Sequence, residues 1–480
     1  MVFSSPVFLF AFLPAVLALY FGCPRAWRNG LLLLASLLFY AWGEQEMVVI
    51  MLASIVANFL FGLGIDGAAS RTVARRWVAV AAVFNLGLLI VFKYTGFIGD
   101  SLNRGLGALG LPILDVPHIL LPIGISFFTF HALSYVIDVY RRVVPAQRNP
   151  LRLALYIALF PQLIAGPILR YHDLAPQLGR RTITRAGFAG GVRRFIVGLG
   201  KKVLIANTVA EVADAVFGLP VADITPGLAW LGIGCYTLQI YFDFSGYSDM
   251  AIGLGAMFGF HFAENFDHPY ASRSITEFWR RWHISLSTWF RDYLYVPLGG
   301  NRVSPRRTYL NLVIVFFLCG LWHGASWSFV VWGLFHGALL VFERAGGRRA
   351  LDALPSALRR AYALLAVLVG WVFFRAETLP GALQYLGAMA GLGGAGGIHA
   401  FDHYWNRAVA LAFIAGVLGS GPLVPWLARG LARLRERAGA AGACAGIVDG
   451  LTQVALLAVL VVCAVWLAAG THNPFIYFRF

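Results

Sequence analysis

Three stretches near the middle of the chain decide its fold. They read FDFSGYSDMAIGLG at residues 242–255, ENFDHPYASRSITEFWRRWHISLSTWFRDYLYVPLGGNR at residues 264–302 and GLWHGASWSFVVWGLFHG at residues 320–337. Charges, histidines and tryptophans are concentrated here, inside segments that are otherwise apolar enough for a membrane. An ionisable side chain at membrane depth is energetically expensive and therefore marks a candidate functional site. His283 and His323 are the two strongest candidates.

The composition around these stretches indicates a polytopic membrane protein. Of its 480 residues, 59% are hydrophobic and 12% are charged, whereas a soluble domain is about 45–50% apolar and about 25% charged. Because one crossing takes roughly 20 apolar residues, the length predicts roughly 11–13 transmembrane or re-entrant helices. The predicted fold class is therefore all-α, without room for a large soluble domain.

The net charge of +16 has two explanations. A basic chain can bind nucleic acid, or its lysines and arginines can lie in cytoplasmic loops between membrane helices. The second explanation fits better, because the basic residues fall between the apolar runs. Part of the excess could also serve an anionic ligand. The five cysteines are scattered, with no CxxC pair or Cys/His cluster, so we predict neither a metal site nor a disulfide framework.

The order of apolar runs predicts three parts. Residues 1–112 hold transmembrane helices, beginning with a retained first helix, and residues 346–480 hold further ones. Between them, residues 113–345 form a core with irregular elements. Within it, the proline-broken run 153–168 lies between basic loops and is predicted to be re-entrant. The basic segment 187–209 is predicted to lie in the cytoplasmic interface.

Polar residues inside the core suggest further local structure. On a helical wheel, His131, Ser134 and Asp138 share one face and form either a hydrogen-bonded seam or part of a polar pathway. Asp243 and Asp249 fall on nearly opposite faces of a straight helix, which argues against an acid–base pair. Asp243 is instead predicted to cap a helix break at Gly246.

Two further patterns concern the histidines. Taken as one helix, residues 273–292 are amphipathic, with His283 on the polar face, so we predict an interfacial or re-entrant helix. Gly320/Gly324 and Gly333/Gly337 are small-xxx-small pairs that suit close helix packing. A neutral histidine shielded from water can accept a proton from a hydroxyl, although a lone membrane histidine is more often simply packed and hydrogen-bonded. His336 does not share a face with His323, which makes a shared metal site improbable on spacing alone.

Residues 275–302 and 320–337 together closely resemble the membrane-bound O-acyltransferase family. The likeness extends over nearly the whole chain. It includes MVFSS at the start, HILLPIGISFFTFHALSYVIDVYR at 118–141, FPQLIAGPILR at 160–170, YFDFSGYSDMAIGLG at 241–255 and the aromatic C-terminus. The resemblance is strongest to bacterial members that O-acetylate alginate.

The resemblance implies a multi-helix funnel across a bacterial inner membrane. It implies that His323 matches the family's invariant histidine and His283 its second catalytic position. The donor would be acetyl-CoA, used as substrate with no cofactor bound. Arg280, Arg281, Arg291 and Trp282 are our candidates for binding this donor, since arginines suit its phosphates.

The same resemblance implies partners on the other side of the membrane. The acetyl group would reach an exopolysaccharide such as alginate, either directly or through a periplasmic SGNH-type acetyltransferase. Inner-membrane lipid surrounds the chain, and nucleic acid is not expected as a partner. Two alternatives stay open: a passive transporter of acetyl groups or polysaccharide, and an acyltransferase for another acceptor such as cellulose, peptidoglycan or teichoic acid.

Overall fold

The computed structural model describes residues 1–117, 119–392, 400–437 and 443–476, so the last four residues of the aromatic C-terminus lie outside the described part. The regular secondary structure of the described residues is entirely helical. Five of these helices are long and apolar enough to cross a membrane: Val48–Asp66, Arg71–Ala108, Trp327–Asp352, Ser356–Arg375 and Gly446–Ala468. Shorter apolar helices cover Phe8–Gly22, Ile125–Tyr140 and Arg407–Ser420. The predicted all-α membrane fold is confirmed.

The chain forms two compact units, a first unit of Met1–Phe188 with Leu254–Ala263 and a second unit of Ala189–Gly253 with Glu264–Phe480. The first unit holds α1 Leu13–Gly22, α2 Arg28–Ala41, α3 Val48–Asp66, α4 Arg71–Leu89, α5 Thr95–Ala108, α6 Ile125–Tyr140, α7 Pro150–Ala158, α8 Phe160–Leu163 and α9 Tyr171–Gly179. The division into three parts, predicted from the order of the apolar runs, is not tested by these units and stays a prediction.

Two helices, α10 Arg185–Gly200 and α12 Pro226–Met257, have residues in both units. The second unit also holds α11 Asn207–Phe217, α13 Ile275–Arg281, α14 Ile284–Phe290, α15 Pro305–His323, α16 Trp327–Phe342, α17 Arg348–Asp352, α18 Ser356–Arg375, α19 Leu379–Met389, α20 Phe401–Tyr404, α21 Arg407–Ser420, α22 Leu423–Arg437 and α23 Ala443–Ala468.

The polar face of α6 is a hydrogen-bonded seam in the first unit. Asp138 Oδ2 lies 2.8 Å from His172 Nδ1 on α9. Ser134 Oγ lies 2.8 Å from the hydroxyl of Tyr156 on α7, and the His131 ring packs 5.5 Å from the Tyr156 ring. Asp138 and Ser134 therefore form a hydrogen-bonded seam of the kind that buried polar groups need, whereas neither ring nitrogen of His131 has a hydrogen-bond partner within the described residues.

The run after α6 is broken as its prolines suggest. Helix α7 ends at Ala158, α8 is a single turn, and residues 164–170 are non-helical. Nearly all of this segment is buried in protein, which is where a membrane protein tolerates irregular backbone. Whether the segment is re-entrant stays a prediction.

The predicted break at Gly246 is wrong, because α12 continues without interruption from Pro226 to Met257. The glycine serves packing instead. A β-carbon on Gly246 would lie 2.7 Å from the carbonyl oxygen of Gly198 on α10, and one on Gly198 would lie 2.6 Å from that of Gly246. Side chains at either position would force the two backbones apart.

Within the basic segment 187–209, Lys202 does not face outward, because it is only 2% exposed; whether the segment lies in the cytoplasmic interface stays a prediction. The Lys202 ammonium group lies 2.9 Å from Asp243 Oδ1 on α12. Asp243 therefore neutralises a buried lysine, as charges at membrane depth require. Asp249, one and a half turns later, pairs instead with Arg194 at 2.8 Å and with Lys201 at 2.6 Å.

The glycine pairs of α15 and α16 pack closely, as predicted. A β-carbon on Gly320 would lie 2.3 Å from the carbonyl oxygen of Phe329, and one on Gly333 would lie 2.2 Å from that of Phe316. Small residues allow this approach of two backbones. The crossing lies one helical turn before His323 and so fixes the end of α15 on which that histidine sits.

Candidate active site

The two candidate histidines converge in the second unit. His323 is the last residue of α15, and His283 stands between α13 and α14. Their ring centroids are 6.3 Å apart. His283 is fully buried and His323 is 6% exposed. Two imidazoles from segments forty residues apart therefore share one site.

The single amphipathic helix predicted over 273–292 is wrong. Helix α13 ends at Arg281 and α14 begins at Ile284. Between them, His283 has φ +44° and ψ +54°, in the left-handed region that few non-glycine residues adopt. This turn directs His283 into the protein, although a continuous wheel would place it on a polar outer face.

Asn265, which the sequence analysis did not single out, holds His283 in one tautomer. Its Oδ1 lies 3.2 Å from His283 Nδ1, and it also accepts hydrogen bonds from the backbone N–H and the hydroxyl of Ser285. Because a backbone N–H can only donate, the Asn265 atom must be oxygen, and His283 Nδ1 must carry a proton. The Nε2 atom of neutral His283 is then a proton acceptor.

Aromatic rings surround both imidazoles. Phe244 lies 4.6 Å from the His283 ring. Trp322, Trp332 and Phe374 lie 4.9, 5.0 and 5.1 Å from the His323 ring. These walls exclude water and lower the local dielectric constant, which strengthens every electrostatic interaction within the site. A small cavity beside His323 is also lined by Trp282 and Ile476.

A large cavity begins beside His323. Its volume is about 920 Å³, and its lining includes Gly324 and Ser326, which follow the histidine. Phe374 lines both this cavity and the small one. The lining also carries polar groups, among them Arg375, which pairs with Asp214 at 3.0 Å. The space is large enough for a polar substrate segment.

A second cavity of about 360 Å³ is lined by arginines and by the start of α13. Five of its lining residues are basic: Arg273, Arg280, Arg281, Arg348 and Arg359. Arg280 is exposed, whereas Arg281 pairs with Glu277 at 3.0 Å and with Asp267 at 3.4 Å. The cavity is thus positively charged, although carboxylates balance part of that charge.

The four predicted donor-binding residues are not all together. Arg280 and Arg281 share the arginine-lined cavity. Trp282 turns inward, 2% exposed, and lines the small cavity with His323. Arg291 does not line that arginine cavity and pairs with Asp292 at 2.7 Å.

Helix α18 contributes to the walls of both the arginine-lined cavity and the large cavity. Arg359 is near the start of α18, whereas Phe374 and Arg375 end it. Fifteen residues of helix separate Arg359 from Phe374, or about 22 Å at 1.5 Å per residue. His283 follows Arg281 by two residues, and Gly324, which lines the large cavity, directly follows His323. This order suits a substrate that enters at one end and meets a second substrate arriving from the other.

Comparison with known proteins identifies the family of the chain. Residues 140–376 match the profile described as MBOAT, membrane-bound O-acyltransferase family. The chain belongs to the membrane-bound O-acyltransferase family. The matched range includes His283, His323 and the arginines that line the arginine-lined cavity and the large cavity. Family membership makes the chain a membrane-bound O-acyltransferase.

Several relatives align with most of this membrane-bound O-acyltransferase. The probable alginate O-acetylase AlgI of Azotobacter vinelandii is 53% identical over 82% of this chain and 79% of its own length. The protein of the same name from Pseudomonas aeruginosa is 51% identical over 82% and 75%. The peptidoglycan O-acetyltransferase of Helicobacter pylori is 37% identical over 82% and 80%.

Sequence reasoning missed three parts of this site. Asn265 lies in the ENFDHP stretch, but nothing in its spacing connects it with His283. Phe374 looks like an ordinary apolar residue of α18. The C-terminal segment reaches the site through Ile476, whose backbone N–H donates to Asp243 Oδ2 at 2.9 Å. All three come close to the histidines only through tertiary packing.

Proposed function

We propose that this O-acyltransferase moves acetyl groups from cytoplasmic acetyl-CoA across the bacterial inner membrane for O-acetylation of an exopolysaccharide, alginate or a similar polymer. The observation that carries the proposal is the pair of buried imidazoles, 6.3 Å apart, whose chain neighbours Arg281 and Gly324 line a basic cavity and a larger one. The identities of 53% and 51% to alginate O-acetylases, against 37% to a peptidoglycan O-acetyltransferase, favour alginate over peptidoglycan.

The donor would occupy the arginine-lined cavity. Coenzyme A carries several phosphates, and guanidinium groups bind phosphate oxygens through paired hydrogen bonds. Arg280 is exposed there and would contact these phosphates, with Arg281 beside it. Trp282 and His323 line the small cavity, whose volume of about 10 Å³ would have to widen to admit the thioester end. Arg291 has the weakest support among the predicted donor contacts, because it does not line this cavity.

The reaction would proceed by general base catalysis. His323 takes the proton of the acceptor hydroxyl, and the oxygen attacks the thioester carbonyl. The tetrahedral intermediate then expels the CoA thiolate, which receives the proton from His323. His283, held by Asn265, presents Nε2 as an acceptor and orients the hydroxyl or His323. In its protonated form, His283 would instead polarise the thioester carbonyl.

The acceptor would approach through the large cavity of about 920 Å³. A serine hydroxyl of a periplasmic SGNH-type partner and a sugar hydroxyl of the polymer would both suit the chemistry, since each is an alcohol. We favour the relay through a partner protein, because a protein segment can deliver one hydroxyl to a buried base.

The test uses purified protein and acetyl-labelled acetyl-CoA, together with polymer acetyl content in cells. His323→Ala is expected to lower both thioester cleavage and polymer acetylation by about 10²–10⁴-fold, the usual contribution of a general base. His336→Gln is the control, because His336 is equally buried but lines neither cavity. The proposal is contradicted if thioester cleavage does not depend on His323 although the protein is present in the membrane. That result would indicate a passive transporter.

A further inference from the structure

A basic cavity in the first unit has no role in the proposed reaction. Its volume is about 930 Å³, and it lies between the segment after α1 and the segment that joins α9 to α10. Five of its lining residues are arginines: Arg25, Arg28, Arg180, Arg181 and Arg185. Neither aspartate nor glutamate occurs among the residues that line it. The cavity therefore concentrates positive charge that its own walls do not balance.

Arg181 is fixed as part of the wall. Its Nη1 donates to Asn29 Oδ1 at 2.7 Å, its Nε to the carbonyl oxygen of Phe258 at 3.0 Å, and its Nη2 to the Tyr20 hydroxyl at 3.0 Å. Its guanidinium carbon also lies 4.3 Å from the centre of the Phe260 ring. These contacts order the arginine without neutralising its charge, because every acceptor is uncharged.

Arg28 is held in a different way. Its guanidinium carbon lies 5.0 Å from the centre of the Tyr20 ring, within the range of a cation–π interaction. Its Nε is buried and has no hydrogen-bond partner within the part of the chain that the structure describes. Leaving a charged donor buried without an acceptor is costly, and a ligand oxygen in the cavity would remove that cost.

The remaining wall is apolar on one side. The rings of Phe21 and Phe188 lie 5.6 Å apart in an edge-to-face pair, and both line the cavity. Arg25, Arg180 and Arg185 are exposed around it. A ligand with an anionic head and a less polar body matches this combination of charged and aromatic surfaces.

We propose that this cavity binds a phosphate-bearing anion. Phosphate accepts several charge-assisted hydrogen bonds at once, which suits arginines converging on one space. Two sources supply this chemistry: the headgroup of an anionic phospholipid and a soluble phosphate compound. Arg75 and Arg76 on α4 differ from the arginines of this cavity, because they are exposed and line none of the cavities described above.

The experiment uses the full chain, delipidated in a neutral detergent. Its probes are phosphatidylglycerol, phosphatidylcholine (the same phosphate without net charge) and inorganic pyrophosphate. Bound lipid is counted by native mass spectrometry, and affinity is measured from the shift in thermal unfolding. Binding of phosphatidylglycerol alone supports a lipid headgroup, and binding or competition by pyrophosphate supports a soluble phosphate compound. Equal binding of phosphatidylcholine and phosphatidylglycerol, or binding of none of the three, overturns the proposal.

Matched variants connect the binding with the cavity. Arg28→Gln/Arg185→Gln is expected to weaken the anion by about tenfold or more, since each charge-assisted hydrogen bond is strong. Arg75→Gln/Arg76→Gln removes the same charge from α4 and is expected to leave affinity unchanged. Equal losses in both variants overturn the proposal, because general surface charge would then explain them. Arg25→Gln/Arg180→Gln, at exposed positions of the same cavity, repeats the test if the first variant is poorly folded.

Discussion

His283 combines a chemical role with a constrained backbone. Its φ of +44° lies in a region where a side chain costs about 1–2 kcal/mol, and asparagine tolerates this region better than most residues. The turn is what brings the ring to His323. A residue that disfavours the turn should therefore affect the fold as well as the chemistry.

Two substitutions at His283 separate these effects. His283→Asn and His283→Ala are both expected to lower acetyl transfer by tenfold or more, on the order seen for a lost catalytic group. The alanine variant should be less stable than the asparagine variant by about 1 kcal/mol in the free energy of unfolding, and should therefore unfold at a lower temperature. Thermal unfolding in detergent and labelled acetyl transfer are the measurements. Equal stability of the two variants would show that the left-handed turn imposes no constraint.

Asn265 acts through His283 and not on the substrate. Asn265→Leu keeps a similar volume but removes the oxygen that fixes the tautomer, and supporting groups of this kind are worth about 10–100-fold in activity. We expect such a fall in the rate of acetyl transfer with little change in the KM for acetyl-CoA. Ser248→Ala, which removes the 3.0 Å partner of Asn265 Nδ2, is the milder control. A change confined to KM would contradict a role in positioning His283.

At the scale of the element, helix existence could be predicted and helix breaks could not. The apolar runs located α3, α4, α16 and α18 because a membrane helix must be continuously apolar. The break at His283 could not be predicted, because the apolar residues of α13 and α14 fall on one face of a single continuous helical wheel. The one left-handed residue between them leaves no trace in that pattern. At Gly246 the sequence predicted a break that does not exist. In a sequence, a glycine that allows close helix packing cannot be told from one that breaks a helix.

The crossing of α15 and α16 makes a graded prediction. Gly320→Ala would put a methyl group 2.3 Å from a backbone oxygen, whereas Gly337→Ala would meet the Phe316 side chain at 3.2 Å. Backbone cannot yield without separating the helices, and overpacking of this kind typically costs about 1–3 kcal/mol. Gly320→Ala should therefore lower both stability and acetyl transfer, since His323 is one turn away. The stability of the Gly337→Ala variant should stay near that of the wild type. If Gly337→Ala unfolds at a lower temperature than Gly320→Ala, the close packing of α15 against α16 at Gly320 is wrong.

The C-terminal segment is attached to the site by a buried ion pair. Lys202 and Asp243 have side chains 3% and 1% exposed, 2.9 Å apart. The Lys202 ammonium also contacts the carbonyl oxygen of Pro474, and Asp243 accepts the N–H of Ile476. The segment that ends in Ile476 thus depends on both charges. Ile476 in turn closes the small cavity beside His323.

Removing one charge of the Lys202–Asp243 pair should lower stability more than removing both charges. Lys202→Met leaves a buried carboxylate without its counter-charge, a loss of about 3–5 kcal/mol. Lys202→Met/Asp243→Asn removes both charges and keeps an oxygen for the Ile476 N–H, so it should recover much of that stability. Thermal unfolding measures the difference, and limited proteolysis of the C-terminus reports release of the segment. If the double variant is no more stable than the single one, the charge argument fails.

At the scale of the whole molecule, the charge pattern along α18 supports the proposed direction of transfer. Helix α18 runs from Arg359 and Arg360, near the basic cavity, to Arg375 at the large cavity. Its 20 residues span about 30 Å, the thickness of the hydrocarbon core. The sequence predicted both the basic loops and the two histidines. It could not predict the cavities, because their walls come from segments far apart in the chain.

The sidedness of the second unit is therefore a prediction in its own right. The positive-inside rule places the arginine-rich end of α18 in the cytoplasm, so the large cavity must open on the opposite side. In a background with the native cysteines replaced, Arg349→Cys and Glu377→Cys introduce thiols at exposed positions of the two ends. A membrane-impermeant maleimide should label Glu377→Cys in intact spheroplasts and Arg349→Cys only after permeabilisation. Labelling of both from one side would mean that α18 does not cross, and transfer between the two compartments would lose its structural basis.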